Sequence, residues 1–186
     1  MFEIIAVIAV VLAIAIAIVP ILAAAKPNTF SVQRAAAMKA PPEKIFSLIN
    51  DFHQWGSWSP WENRDPAMTR SFSGAASGRG AVYAWEGNKN VGSGRMEILD
   101  ASTPLKIIIK LDFFKPFEAH NTAEFTMLPQ GDTTSVNWVM HGPAPFMSKM
   151  MQVFMNMDQM IGKDFEIGLA NLKGLAERQT ALPQAR

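Results

Sequence analysis

Three histidines, His53, His120 and His141, are the residues best suited to acid–base chemistry or metal binding in this sequence. They lie far apart, and none has a second metal ligand three or four residues away, so we predict no metal site. A histidine without an identified partner does not make a catalytic pair, and we interpret His120 and His141 as rim or surface residues. The chain has no cysteine, which excludes disulfides, thiolate zinc sites and cysteine nucleophiles.

Arg95 and Glu97 are charged neighbours in a segment that alternates polar and apolar residues. In a strand, successive side chains point to opposite faces, so burying Met96 and Ile98 places both charges in water. The pattern favours a surface ion pair over an acid–base pair. We therefore predict no catalytic residue and no cofactor, and the question of enzymatic activity stays open.

Aromatic and methionine side chains are better candidates for a binding function. The chain has five tryptophans, and six of its twelve methionines fall between Met147 and Met160. The unbranched thioether of methionine adapts its shape, which suits an apolar pocket that accepts varied ligands. Ordinary core packing explains most of the tryptophans, and a plain helix core explains the methionines equally well.

The elements that position these residues begin with a run of uncharged, mostly aliphatic residues from Ile4 to Ala25. About 20 such residues cross roughly 30 Å of hydrocarbon as a helix, so the run predicts an uncleaved transmembrane anchor. A cleaved signal peptide is the alternative, because Ala23-Ala24-Ala25 resembles a cleavage site. Lysines and arginines follow the run, which predicts a single-pass protein of the inner membrane with its domain in the cytoplasm.

After this run the pattern predicts an α+β domain. Thr29 to Ala40 suits a first strand, and Pro41-Pro42-Glu43 opens a helix, since proline is tolerated in a first turn. From Met68 to His141 short alternating segments and turns predict a meander of antiparallel strands, with Ile109 facing inwards and Lys110 facing water. From Met147 onwards the apolar period becomes helical and predicts one terminal helix of about 30 residues.

These observations give three segments: an anchor over residues 1–27, one domain over residues 28–178 and a flexible tail over residues 179–186. A net charge of +1 and the absence of blocks of lysine and arginine argue against nucleic-acid binding. The membrane, through the N-terminal helix, is the partner that this organisation predicts.

Two motifs carry a resemblance to a known family. The segment Asp51-Phe52-His53-Gln54-Trp55-Gly56-Ser57-Trp58-Ser59-Pro60-Trp61 resembles the D-F-x-x-W-x-x-W-x-P-W block of bacterial START-like proteins of the polyketide cyclase/dehydrase type, in the SRPBCC superfamily. Residues 78–88, followed by Gly92-Ser93-Gly94, resemble the second block of that group. The resemblance covers roughly residues 30–177.

The resemblance implies a helix-grip fold, in which a curved antiparallel sheet surrounds a long C-terminal helix, with an apolar cavity between them. Members bind lipids, sterols or polyketides, or act as cyclases and co-chaperones, so the fold does not select one activity. The candidate cavity-lining residues are Trp85, Phe125, Met127, Trp138, Met140, Met150, Phe154 and Met157.

We therefore expect a membrane-tethered domain that binds a hydrophobic small molecule or lipid. A cyclase or dehydrase is the first alternative, and it would need a buried pair of hydrogen-bonded ionisable groups. A module that binds a protein partner through the loop around Trp58 to Trp61 is the second, and an exposed aromatic patch would favour it.

Overall fold

Seven antiparallel strands form one sheet in the computed structural model, which describes residues 2–178 except for the side chains of residues 2, 5, 8–16 and 103. The strands are β1 (Thr29–Met38), β2 (Thr69–Gly74), β3 (Ala81–Glu86), β4 (Ser93–Thr103), β5 (Lys106–Lys115), β6 (Ala119–Gln130) and β7 (Thr133–Pro143). The helices are α1 (Phe2–Ala24), α2 (Pro42–Asn50), α3 (Phe146–Phe154) and α4 (Met157–Arg178), with a 3₁₀ helix over Phe52–Ser57.

The sheet has the order β1-β7-β6-β5-β4-β3-β2, so only β1 leaves the sequential meander and joins the far edge beside β7. The predicted alternation is found in β5, where Ile107 and Ile109 are fully buried and Lys110 is exposed. The α+β class and the antiparallel sheet with a C-terminal helix, as in the helix-grip fold, are therefore confirmed.

The helix α4 lies along β1 and is fixed to it at both ends. Near the start of α4, Arg34 donates to Asp158 and Glu166; near its end, the backbone N–H of Lys39 donates to Glu177 at 2.8 Å. The inner face of α4 buries four apolar side chains, Phe165, Leu169, Leu172 and Ala176. These residues close one side of the core against the sheet.

The terminal helix is shorter than predicted because it is interrupted. Met155 has extended dihedral angles (φ −127°, ψ 134°), which end α3. The side chain of Asn156 then accepts a hydrogen bond from the backbone N–H of Gln159 at 3.1 Å, which caps the start of α4. The apolar period continues through this break, so the periodicity alone predicted one helix where two are present.

The N-terminal helix α1 packs against α3, with Ala23 fully buried. Within the part of the chain that the structure describes, no helix is both long enough and apolar enough to cross a membrane. By this finding, the predicted single-pass location in the inner membrane is wrong. Much of the run from Ile4 to Ala25 lies outside the described side chains, and residues 179–186 lie outside the described residues.

Candidate ligand-binding groove

Aromatic rings fill the space between the sheet and α4. Trp138 lies between Phe125 and Phe165, with ring centroids at 4.7 Å and 4.0 Å. Trp58 and Trp61 approach the same indole edge-on, at 5.7 Å and 5.8 Å. Such stacked and T-shaped pairs stabilise a core beyond the area they bury. Trp58 and Trp61, two of the three tryptophans of the D-F-x-x-W-x-x-W-x-P-W segment, are therefore packing residues of this core.

The predicted cavity-lining residues fall into two groups. Five lie on the inner face of the sheet: Trp85, Phe125, Met127, Trp138 and Met140. All of these except the half-buried Trp85 are buried, and Phe125 and Trp138 contact each other. The other three lie in α3 and at the start of α4, where Met150 and Met157 are half-buried and Phe154 is 73% exposed. The structure does not bring this second group onto the sheet's inner face.

The break between α3 and α4 borders an open groove of about 540 Å³. One wall is the chain from Lys26 to Val32, and the other is the segment from Gln152 to Asp158. Six apolar side chains line it: Phe30, Val32, Val153, Phe154, Met155 and Met157. Ligand pockets for small molecules have volumes of about 300–1,000 Å³, so this groove is large enough for one.

Four of the six apolar lining residues were missed from the sequence: Phe30, Val32, Val153 and Met155. Phe30 was assigned to the first strand without a facing direction, and Met155 was counted with the helical methionines. The signal for the break was present, because Asn156 followed three residues later by Gln159 resembles a capping box. Recognising it would have placed Met155 in a connection between two helices.

An ion pair separates this groove from a second one. Asp158 lines the first groove, and Arg34 lines a neighbouring groove of about 560 Å³, whose other lining residues include Lys163 and Glu166. The guanidinium Nη1 of Arg34 is 3.1 Å from Asp158 Oδ1, and its Nε is 2.7 Å from Glu166 Oε1. The hydrogen bond from Arg34 lowers the pKa of Asp158. Asp158 is thus charged and already paired at the edge of the first groove.

A buried ionisable pair does exist, but neither groove includes it. The Tyr83 hydroxyl donates to Glu62 Oε1 at 2.6 Å, and Arg70 Nε donates to Glu62 Oε2 at 2.7 Å. Burial, followed by the hydrogen bond to Glu62, raises the pKa of Tyr83. Both carboxylate oxygens of Glu62 have partners and the residue is 8% exposed. These contacts hold the loop that contains Glu62 to β2 and β3.

The histidines have partners that sequence reasoning missed. His120 Nδ1 lies 2.7 Å from Asp112 Oδ1 across the β5–β6 pair, and the imidazole is 58% exposed. His141 Nε2 lies 3.3 Å from Glu124 Oε1. Asp112 and His120 are directly opposite in the register, a pairing that the strand alternation could have suggested.

Arg95 Nη2 is 2.8 Å from Glu97 Oε2, the ion pair that the alternation predicts. Among the described residues, no group of three potential ligands could hold a metal ion.

Comparison with known proteins identifies a family and a fold. The sequence model of the family described as polyketide cyclase / dehydrase and lipid transport matches residues 29–177. A search of curated proteins finds no match.

Among solved structures, a protein of unknown function from Staphylococcus aureus superposes with a TM-score of 0.60 at 11% identity, over 83% of this chain and 97% of that chain. The di-domain ARO/CYC StfQ from the steffimycin biosynthetic pathway gives 0.59 at 8% identity, over 83% of this chain and 52% of that chain. The Aha1 dimer from Colwellia psychrerythraea gives 0.55 at 16% identity, over 80% and 96%. At these identities the likeness concerns the fold alone.

Proposed function

We propose that this chain, which belongs to the polyketide cyclase / dehydrase and lipid transport family, binds a hydrophobic small molecule or lipid in the groove at the α3–α4 break. The family matches residues 29–177, a range that includes most of both groove walls. Phe154 and Met157 would contact the ligand directly. The five sheet residues, Trp85 among them, would support the groove by packing; their contact with a ligand stays a prediction.

The exposure of Phe154 is the observation that carries this proposal. Its ring is 73% exposed and Met155 beside it is 42% exposed, although both line a concave surface. Removing apolar area from water stabilises a complex by about 25 cal/mol per Å². Phe154 therefore presents exposed apolar surface at the edge of the groove, and a hydrophobic ligand would be stabilised by covering it.

The methionines at the α3–α4 break also favour the binding of a hydrophobic ligand. Met155, where the backbone leaves the helical conformation, and Met157 flank the capping residue Asn156. Methionine adapts to guests of different shape, and a connection between helices moves more easily than a helix interior. We therefore expect broad selectivity for apolar ligands at this position.

The two alternatives have less support. A cyclase or dehydrase needs an acid or base within reach of its substrate, and the buried pair Glu62–Tyr83 is enclosed in the core. A partner-binding loop needs exposed aromatic rings, and Trp58 is 1% exposed.

Titration with Nile red, an uncharged fluorescent probe, tests the proposal. The variant Phe154→Ser should weaken probe binding about tenfold, because the ring's contact area is lost. The control is Phe117→Ser, which removes a ring that is 58% exposed in the connection between β5 and β6. Both rings are exposed, so neither change should cost much stability. Equal affinity of Nile red for the native chain and the Phe154→Ser variant would contradict the proposal.

A further inference from the structure

Lys149 is a buried cation without an acidic partner. It is 8% exposed, and its ammonium donates to the side-chain oxygen of Asn28 at 2.5 Å. Among the described residues, no carboxylate lies within ion-pair distance of it. Lysines are almost never fully buried unless they are paired, because removing the charge from water is costly. An ammonium has three donors, and among the described residues the neutral amide of Asn28 accepts one of them.

This cation lies beside the groove. Lys149 precedes the lining residues Gln152 and Val153 by one helical turn, which places all three on one side of α3. Asn28, which accepts its hydrogen bond, lies between the lining residues Pro27 and Thr29.

The other charges of the groove leave an excess of positive charge. Lys26 lines it and makes no ion pair among the residues described. The acidic lining residue, Asp158, pairs with Arg34. Lys26 is thus part of the wall formed by the connection between α1 and β1, and Lys149 of α3 is hydrogen-bonded to Asn28 in that same connection.

We infer, on the basis of the proposed function, that the ligand is a single-chain amphiphile with an anionic head group. The head group, a carboxylate or a phosphate, accepts hydrogen bonds from the ammonium of Lys149, with Lys26 adding positive charge. The tail lies along the apolar side chains of the groove, Phe154 among them. Charge-assisted hydrogen bonds are roughly twice as strong as neutral ones, so the head group determines which apolar molecules are preferred.

The test uses two probes that differ only in the head group: a fatty acid carrying a neutral fluorophore, and its methyl ester. Both are titrated below the concentration at which they aggregate. The native chain should bind the acid about tenfold more tightly than the ester, the value of one charge-assisted contact. The variant Lys149→Met should lose this preference, whereas Lys149→Arg should keep most of it.

Three controls make the outcome decisive. Replacing a poorly paired buried charge by an apolar residue of similar size is often neutral or stabilising, and a thermal melt verifies that Lys149→Met is folded. Lys163→Gln, an exposed lysine of the second groove, should leave both affinities unchanged. A long-chain alkyl phosphate as competitor separates a phosphate from a carboxylate preference.

Equal affinity of the native chain for acid and ester would overturn the inference, as would an equal loss of both in Lys149→Met. Binding of the acid only in its aggregated form would also overturn it. A failure of the proposed function would give a different result, because the affinities of both probes would then be the same for the native chain and for Phe154→Ser.

Discussion

Gly168 of α4 lies directly against the indole of Trp138 in β7. A Cβ at this position would come within 2.9 Å of Cζ3 of Trp138 and 3.2 Å of Cδ of Pro60. The same indole stacks on Phe165, one turn earlier in α4, with ring planes 5° apart. The absence of a side chain at Gly168 therefore sets how closely the helix approaches the sheet.

Gly168→Ala should destabilise the fold by about 1–3 kcal/mol, because the indole is held by four other rings and has little freedom to move away. Gly174 in the same helix is the matched control. Its added Cβ would meet only the end of Arg178, at 3.5 Å, and alanine is the better helix former. We expect Gly174→Ala to stabilise the fold by about 0.5–1 kcal/mol in urea unfolding. A loss of stability in both variants would mean that close packing is not the cause.

The facing direction of β5 gives a second prediction. Ile109 is fully buried, so Ile109→Ala should cost about 2–5 kcal/mol through lost burial and the cavity left behind. Lys110 is exposed and pairs with Asp112 at 2.9 Å, and Lys110→Ala should cost less than about 1 kcal/mol. Chemical denaturation measures both free energies of unfolding. Similar losses would show that the strand face is assigned incorrectly.

The His120–Asp112 pair should make stability depend on pH. The hydrogen bond to Asp112 raises the pKa of His120 above its ordinary value of 6.5. For Asp112, burial acts against ionisation, but hydrogen bonds from His120 and Lys110 outweigh it and lower its pKa below 3.8. The histidine's contribution is complete below pH 6.5 and is lost as the pH rises through the raised pKa. The aspartate's contribution is complete above pH 3.8 and is lost as the pH falls through the lowered pKa.

The free energy of unfolding of the native chain, minus that of His120→Gln, should therefore be largest between about pH 4 and 6.5 and decrease above it. Urea unfolding at a series of pH values measures this difference. Asp112→Asn is the control, because without the carboxylate the same comparison should vary much less with pH. A difference that increases above pH 6.5 would contradict the assigned pair.

Tyr83 gives a spectroscopic prediction, because it is the single tyrosine of the chain. Burial and the hydrogen bond to Glu62 raise its pKa well above the usual value of 10. The ultraviolet absorbance of the phenolate should therefore stay absent at pH 10–11 while the chain remains folded. In Glu62→Gln the titration should move to lower pH without reaching the usual value, since burial remains. Ionisation of the folded native chain near pH 10 would exclude the buried hydrogen bond.

The sequence by itself determined the α+β class, the antiparallel meander and the inward-facing residues of its strands. These features follow from local periodicity, because alternation at a period of two fixes which side chains share a face. Ile109 and Lys110 were assigned to opposite faces on this basis alone. The surface pairing of Arg95 and Glu97 followed from the same alternation.

Only the tertiary structure decided which apolar side chains pack in the core and which line the groove. Trp138, Phe125 and Phe165 come from two strands and one helix, and their mutual stacking depends on how α4 approaches the sheet at Gly168. The groove likewise joins Phe30 to Phe154, which are distant in the chain. The pairing of Lys149 with Asn28 is equally non-local. Periodicity shows which face of a helix or strand is apolar, but it does not show which other element packs against that face. An apolar face that another element covers becomes part of the core, whereas an uncovered one lines an open groove.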